Sequence, residues 1–357
     1  MPALVDLPLR GLALLAKLAF EPIVTGPALG LLLYTPEQAG WQNALEATFL
    51  APITDLRNLI RVLGFLATVG VIRKTNAALN AWATNNWQIR AGQGWNWPSE
   101  IAVVTGGCSG IGKAIAEALV SHGIRVAVLD VQDAPKTFAN NKLLTYYRCD
   151  ISDPNAIAET ADQVRSELGH PSILVNNAGI TGSHTILKTP DAFLQRIFDV
   201  NLLSHWRLVR QFVPEMVAKN KGHIVTVASV NSYLTNSANA DYVATKTGAL
   251  SFHEGLTSEL KIWYRASGVK TTIAHPSWES IRKSGQDPKI LDGMLRPEEV
   301  AEVIVRQVVR RRGAQLFIPG AAAPISWLKG WPNWAQELVR DWFGKTSAVS
   351  GGSMVAH

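Results

Sequence analysis

The chain has 357 residues, of which 47% are hydrophobic and only 17% charged, and its mean hydropathy is positive at +0.08. Two cysteines, Cys108 and Cys149, exclude a disulfide framework and a cysteine-rich metal site, and fit a reducing compartment. A net charge of +6 without a basic face interleaved with aromatics argues against nucleic-acid binding. The length exceeds one ordinary domain, and the charged share lies below the ~25% of soluble proteins, so the apolar excess calls for a covering surface such as a membrane.

Residues 1–98 carry much of that excess. Leu9 to Tyr34 is rich in Leu, Ala and Gly, but Lys17, Glu21, Pro22 and Pro27 interrupt it. Leu45 to Ile72 contains Pro52, Asp55, Arg57 and Arg61, and its cleanest part, Val62 to Ile72, is followed by Arg73 and Lys74. Neither stretch reaches the ~20 uninterrupted apolar residues of a spanning helix. A monotopic or hairpin anchor lying at an interface is the leading reading. A helical cap or oligomer contact is the alternative, and a true span the third. Trp82, Trp87, Trp95 and Trp97 then crowd the segment up to Pro98, which suits a membrane–water belt or packing beneath the following domain.

From Ser99 the pattern alternates between strand and helix. Ile101 to Val104 is apolar and leads into Thr105-Gly106-Gly107-Cys108-Ser109-Gly110-Ile111-Gly112, with a helix expected from Lys113 to Ser121. Strand, glycine turn and helix in that order make a phosphate cradle, here spaced G-x-x-x-G-x-G. The next strand, Ile124 to Leu129, ends in Asp130, a carboxylate placed to accept ribose hydroxyls and to repel a 2′-phosphate. With Ser109 where an Arg or Lys would serve NADP, the pair favours NAD.

Leu143 to Tyr147 reads as a third strand, before Asp150, Ile151 and a helix capped by Ser152 or Asp153 with Pro154 in its first turn. Ser172 to Val175 is a fourth strand, running into Asn176-Asn177-Ala178-Gly179. Asp199-Val200-Asn201 lies in the following helix, ahead of a long helix to about Lys219. His223 to Ala228 is a fifth strand ending at Ser229. Val269 to Ala274 is a sixth and meets His275-Pro276. Pro297 to Arg311 is a helix with Glu298 and Glu299 in its first turn, the Arg310-Arg311-Arg312 run sits at its C-terminal end, and Ala314 to Ile318 closes the set. Strands in this alternation build a Rossmann-type, doubly wound, seven-stranded parallel sheet.

The helix after Ser229 carries Tyr242-Val-Ala-Thr-Lys246. An i, i+4 spacing stacks the phenol and the ammonium on one helix face. A lysine cation there favours the phenolate and lowers a tyrosine pKa that is about 10 in water, as proton transfer near neutrality requires. An isolated Tyr-x-x-x-Lys is more often a solvated helix face, and only the rest of the chain raises it above that.

The glycine turn, Asn-Asn-Ala-Gly, Ser229 and Tyr242-x-x-x-Lys246, in that order over roughly 99 to 320, resemble the short-chain dehydrogenase/reductase superfamily. The apolar arm and tail narrow the resemblance to retinol and hydroxysteroid dehydrogenase-like members of endoplasmic reticulum and lipid-droplet surfaces. The resemblance implies Tyr242 as general acid/base, Lys246 as its electrostatic partner and ribose ligand, and Ser229 as the group polarising the substrate oxygen. Asn201 would position a water. Gly106, Ser109, Gly110, Ile111 and Gly112 would line the pyrophosphate, and Asp130 the adenosine ribose. Asp150 and Ile151 would flank the adenine, and Asn177, Ala178, Gly179 and Pro276 the rest of the cofactor. One departure stands out. Where the family has Pro-Gly, then a hydrophobic residue and Thr, this chain has Pro276-Ser277-Trp278-Glu279-Ser280-Ile281.

The expected activity is NAD(H)-dependent interconversion of an alcohol and a carbonyl on a lipophilic substrate. An NADPH-dependent ketone reductase and an inactive cofactor-binding scaffold are the rivals. Trp278 to Leu295, with Ile281, Ile290, Leu291 and Met294, reads as a substrate lid. Ala335 to Phe343 reads as a short amphipathic helix that dips into an interface, covers the substrate mouth or meets another subunit. Ser347 to His357 reads as disordered. The expected organisation is thus an arm over 1–98, a catalytic domain over 99–320 and a tail over 321–357, with a homo-oligomer open.

Overall fold

The structure, a computed structural model, describes residues 18–34, 56–277 and 295–350. It comprises two compact units, Met1–Trp82 and Ala83–His357.

In the first unit, α1 (Pro22–Tyr34) and α2 (Leu56–Thr84) are helices. The helix α2 runs on past Arg73 and Lys74, because no proline or glycine pair stops it before Thr84. Arg57–Thr84 is therefore long and apolar enough to cross a membrane, the third of the three readings the broken apolar pattern had left open. Phe65, Val71, Ile72 and Leu79 are exposed along it. The start of α1 abuts the middle of α2 at Gly70, where an added Cβ would come within 2.5 Å of the Phe20 carbonyl oxygen. Glu21 pairs there with Arg73 at 3.3 Å and Lys74 at 2.5 Å.

In the second unit the strands are β1 (Ile101–Thr105), β2 (Arg125–Asp130), β3 (Leu144–Arg148), β4 (Ile173–Asn176), β5 (Gly222–Val227), β6 (Val269–Pro276) and β7 (Ala314–Ile318). They form one parallel seven-stranded sheet in the order β3-β2-β1-β4-β5-β6-β7. Both faces are covered, so the central strands are apolar throughout instead of alternating. Val103 pairs with Ala127 on one side and with Leu174 on the other, and this junction of β1 with β2 and β4 is where the strand order reverses. Open α/β sheets bind ligands outside the carboxyl ends of their strands at such a point.

Helix α3 (Gly110–Ser121) covers one face. On the other lie α4 (Pro154–Glu167), whose N-cap Asp153 accepts the Asn155 N–H, and the stretch from α5 (Asp191–Phe198) to α6 (Ser204–Phe212) and α7 (Pro214–Ala218). The two helices expected here run on as one through Asp199–Leu203, and the long helix expected to Lys219 is interrupted once, before Pro214. Asp199–Leu203 makes a wide π turn, and Pro214 lacks the N–H that a continuing helix would need. Helix α8 (Ala240–Ile262) carries Tyr242 and Lys246, and α9 (Pro297–Val309) packs beside α3. Glu298 and Glu299 occupy the first turn of α9, and the arginine run follows its last turn. Beyond β7, Gly320–Gly330 is a 3₁₀ segment and α10 (Asn333–Ser350) is longer than the short tail helix expected, since Gly344 alone does not end it. The disorder expected for 347–357 is thus replaced by helix through Ser350, and residues 351–357 lie outside the described residues.

Residues 85–99 pack on the catalytic unit. Asn86 Nδ2 donates to the carbonyls of Ser267 and Val269, and the buried Lys270 on β6 donates to Gln88 Oε1 at 2.6 Å. Trp95 and Trp97 stack at 5.2 Å and rest on the core, so these two tryptophans are domain packing, while Trp82 and Trp87 are exposed.

Candidate active site

A crevice of about 470 Å³ runs along the carboxyl ends of β1, β2, β4, β5 and β6. Gly106, Ser109, Gly110, Ile111, Asp130, Asp150, Ile151, Asn177, Ala178, Gly179, Ser229, Tyr242, Lys246 and Pro276 line it; Gly112 and Asn201 stand behind its wall.

The glycine turn is shaped by close approach. A Cβ on Gly112 would fall 2.1 Å from the Gly106 carbonyl oxygen, and Gly106 itself has φ +64° and would meet Ala178. Helix α3 begins at Gly110, within the turn, so its free N–H groups and positive end face the crevice. Asp130 accepts the Cys108 N–H at 2.9 Å and the Gln132 N–H at 3.0 Å, which fixes its carboxylate at the end of β2. Burial and the adjacent Asp130 push the Cys108 thiol up to about 12, so it stays protonated. Burial works against ionisation of Asp150, but the Ser152 hydrogen bonds and Arg196 outweigh it and hold the carboxyl below its usual range.

On the other side, Lys246 is buried, its Nζ donates to the Val227 carbonyl at 2.9 Å, and it lies 5.6 Å from the Tyr242 ring centroid. Asp241 accepts the Tyr242 N–H at 2.7 Å in the first turn of α8, where a carboxylate complements the helix dipole. Ser229 follows β5 and its hydroxyl accepts the Asn231 N–H at 3.2 Å. Asn201, fully buried in the π turn, accepts the Ile180 N–H at 2.7 Å and donates to the Ile180 carbonyl at 2.8 Å, clamping the loop after β4. A Cβ on Gly179 would lie 3.4 Å from Asn201 Oδ1 and 3.6 Å from Lys246 Nζ, so the three meet at one place.

The sequence reading missed several residues. Thr105 Oγ1 accepts the N–H groups of Asn177 and Ala178 at 3.0 and 3.1 Å, and the Asn177 amide donates to the Thr105 carbonyl. A hydroxyl ending an otherwise apolar strand was its one signal. Arg196, Asn231 and Asn239 line the crevice without any motif. Ser277, in place of the usual glycine, also lines it and donates its N–H to the Ile318 carbonyl at 2.8 Å. Trp278, Glu279, Ser280 and Ile281, and the lid up to Met294, lie outside the described residues.

Sheet order, glycine turn and crevice define a Rossmann-type dinucleotide fold. The family model "short chain dehydrogenase" matches residues 100–278, and the chain belongs to that family. It is 34% identical over 227 residues to Dehydrogenase RED2 of Cochliobolus heterostrophus, covering 62% of this chain and 83% of that one. It is 30% identical over 270 residues to human epidermal retinol dehydrogenase 2, covering 72% and 86%. Human estradiol 17-beta-dehydrogenase 11 is 30% identical over 236 residues, covering 64% and 78%. A short-chain dehydrogenase structure from Streptomyces avermitilis superposes with a TM-score of 0.57 at 24% identity, covering 71% of this chain and 98% of that one, which shows the fold. The protein is an alcohol/carbonyl oxidoreductase of a family whose members bind NAD or NADP.

Proposed function

We propose that the protein is an NAD(H)-dependent dehydrogenase acting on the hydroxyl of a lipophilic substrate at a membrane surface. The observation that carries this is the convergence of Ser229, Tyr242 and Lys246 on the crevice that also holds Asp130. The crevice fits a dinucleotide: a Cβ at Gly112 would strike the Gly106 carbonyl and one at Gly106 would strike Ala178, so only glycine allows the tight turn, and the turn offers N–H donors at a helix end. When bound, the nicotinamide would accept or give the hydride.

The chain's own residues do the rest. Tyr242 takes the proton from the substrate hydroxyl, or returns it to a carbonyl. The Lys246 ammonium stabilises the negative charge that Tyr242 then carries. The Ser229 hydroxyl holds the substrate oxygen as charge develops on it. Asn201 sets the Ile180 loop, which would border the nicotinamide end of the cofactor. Gly106, Ser109, Gly110 and Ile111 would hold the pyrophosphate, with Asp150 and Ile151 at the adenine. Asn177, Ala178, Gly179 and Pro276 border the remainder. Asp130 would accept the ribose hydroxyls, which would make NAD the favoured cofactor.

Relatives named for estradiol and retinol support a lipophilic substrate. The exposed apolar length of α2 supports membrane attachment, and Glu21 lowers the cost of burying Arg73 and Lys74 by pairing with both. An endoplasmic reticulum or lipid-droplet surface, with the arm as anchor and residues 99–320 as the cytosolic catalytic domain, is the corresponding location.

The test is Tyr242→Phe assayed with NAD⁺ over retinoids, steroids, fatty alcohols and aromatic alcohols. Turnover should vanish while NADH still binds; retained turnover would sink the assignment. For the anchor, deletion of residues 1–82 should release the protein from sedimenting membranes.

A further inference from the structure

The loop after β4 borders the crevice with Ile180 and Thr181, then runs through Gly182 to His184. A Cβ on Gly182 would come within 2.5 Å of the Phe193 ring on α5 and 2.8 Å of the His184 ring. Glycine thus lets the loop fold closely round the two rings, whose centroids lie 4.7 Å apart. In this position His184 Nδ1 faces Asp241 on α8, 4.0 Å from its Oδ2. Both atoms are buried, and among the described residues neither has a hydrogen-bond partner. The Asp241 side chain is only 4% exposed, and its other oxygen, Oδ1, accepts the Tyr242 N–H at 2.7 Å. One carboxylate therefore stands between Tyr242 and the loop beside the crevice.

A buried carboxylate oxygen without a donor costs free energy, and such atoms are rare in native folds. A carboxylate only accepts, so the hydrogen has to come from His184 Nδ1. A charge-assisted N–H···O bond spans about 2.7–2.9 Å, which leaves the pair about 1 Å short of closure. Loops commonly make such a movement when a ligand enters and completes the site. A cofactor lying along Ile180 and Thr181 would bear on this same loop. We infer that His184 and Asp241 form a catch, whose closure seats the loop on the first turn of α8 and fixes Tyr242 for proton transfer. His184 is then a positioning residue: it does not line the crevice and acts through Asp241 and the Tyr242 backbone. The inference rests on the reading of Tyr242 as the acid/base.

The experiment is a double-mutant cycle in the full chain, assayed with NAD⁺ and an alcohol that the wild type oxidises. His184→Phe keeps a ring against Phe193 but removes the donor, and Asp241→Ala removes the acceptor. Each should lower kcat about tenfold, the scale of one hydrogen bond to a charged group, with KM for NAD⁺ moved far less. The double variant should be no slower than Asp241→Ala alone, because the second change removes nothing further. His184→Asn, whose amide places a donor near the Nδ1 position, should be several-fold faster than His184→Phe. A role in ring packing alone predicts the reverse order. Losses that multiply in the double variant, or a Phe variant as fast as the Asn variant, overturn the catch. The Phe and Asn comparison decides by itself where Asp241→Ala fails to fold. If the wild type oxidises no alcohol, the reading of Tyr242 fails separately, and hydrogen–deuterium exchange with saturating NADH still reads the catch. Amides of residues 181–188 should then exchange about tenfold faster in His184→Phe than in the wild type, and equal rates overturn it.

Discussion

His275 Nδ1 lies 3.0 Å from the main-chain carbonyl oxygen of Ser229. A carbonyl only accepts, so Nδ1 carries the hydrogen, and Nε2 accepts from Gln315 Nε2 at 3.3 Å. Gln315 gives its other hydrogen to the Tyr233 hydroxyl at 2.5 Å, and the imidazole stacks on Phe317 with centroids 4.9 Å apart. Burial, joined by the Lys246 charge and opposed by the Ser229 bond, lowers the ring's pKa to about 4 and keeps it neutral. The ring thereby fixes the backbone of Ser229, the residue proposed to hold the substrate oxygen.

Replacing His275 by Ala should therefore cost about 10- to 100-fold in kcat, the scale of a misplaced catalytic group. Affinity for NADH should change far less. His275→Asn, which keeps a donor on the same side, should restore part of the rate. Stopped-flow turnover and NADH fluorescence titration separate the two effects; equal losses in both would point to general unfolding instead.

In the proposed function Asp130 governs cofactor choice. Hydrogen bonds to a charged group contribute about 1.5–3 kcal/mol. Asp130→Ala should thus reduce the ratio of kcat/KM with NAD⁺ to that with NADP⁺ by about tenfold or more. Initial rates with both cofactors check it, and an unchanged ratio removes Asp130 from the role.

Acid should destabilise the fold. Burial holds His205, His223 and His253 near 3 and His275 near 4. All four fall below the ordinary value of 6.5, so under acid conditions the unfolded chain binds more protons than the native one. Stability present above pH 6.5 is lost as the pH falls towards 4 and 3, by about 1.4 kcal/mol per ring and pH unit. At pH 5.5 the four together remove about 5 kcal/mol, comparable with the whole stability of a marginal domain. Scanning calorimetry at pH 7 and 5.5 should show a steep drop in Tm. His223→Gln, which can still bond Thr272, should reduce that drop by about a quarter.

Glu100 just before β1 is buried and accepts from Lys221 at 2.6 Å, Ser172 Oγ at 2.5 Å and the Asn96 N–H at 3.1 Å. Lys221 also lies 5.0 Å from the centroid of the Trp95 ring. Glu100→Ala strands the lysine and should lower stability by about 3 kcal/mol, read from the urea midpoint, with kcat/KM of the folded enzyme unchanged. Glu100→Gln should lose less. Equal midpoints for all three proteins would show that the cluster contributes nothing.

All seven strands were legible because a doubly covered parallel sheet needs unbroken apolar runs, and these are bounded here by Gly, Asn and Asp. Strand ends shifted by one or two residues, as at β6, where pairing with β7 carries the ladder through His275 to Pro276. The crevice motifs were legible because glycine spacing and Tyr-x-x-x-Lys are local. Thr105, His275 and the His184–Asp241 pair were not, since their partners are distant in sequence and no local pattern encodes them. The π turn at Asp199–Leu203 escaped for a related reason: its composition is that of an ordinary helix. The length of α2 was misjudged because interrupting cations read as breaks, although lysine and arginine favour helix.

Thr105 joins both lips of the crevice. Its hydroxyl takes the N–H groups of Asn177 and Ala178, and its Oγ1–H points to the Val175 carbonyl at 3.3 Å. That oxygen, together with the Asn177 amide on the Thr105 and Gly106 carbonyls, ties the loop after β4 to the end of β1. Valine would match its shape and β-branching but leave two amides orphaned, and serine would keep the bonds but lose the methyl that packs in the strand. One side chain thereby fastens the loop after β4 to the strand that leads into the glycine turn, so a change at residue 105 would be felt on both.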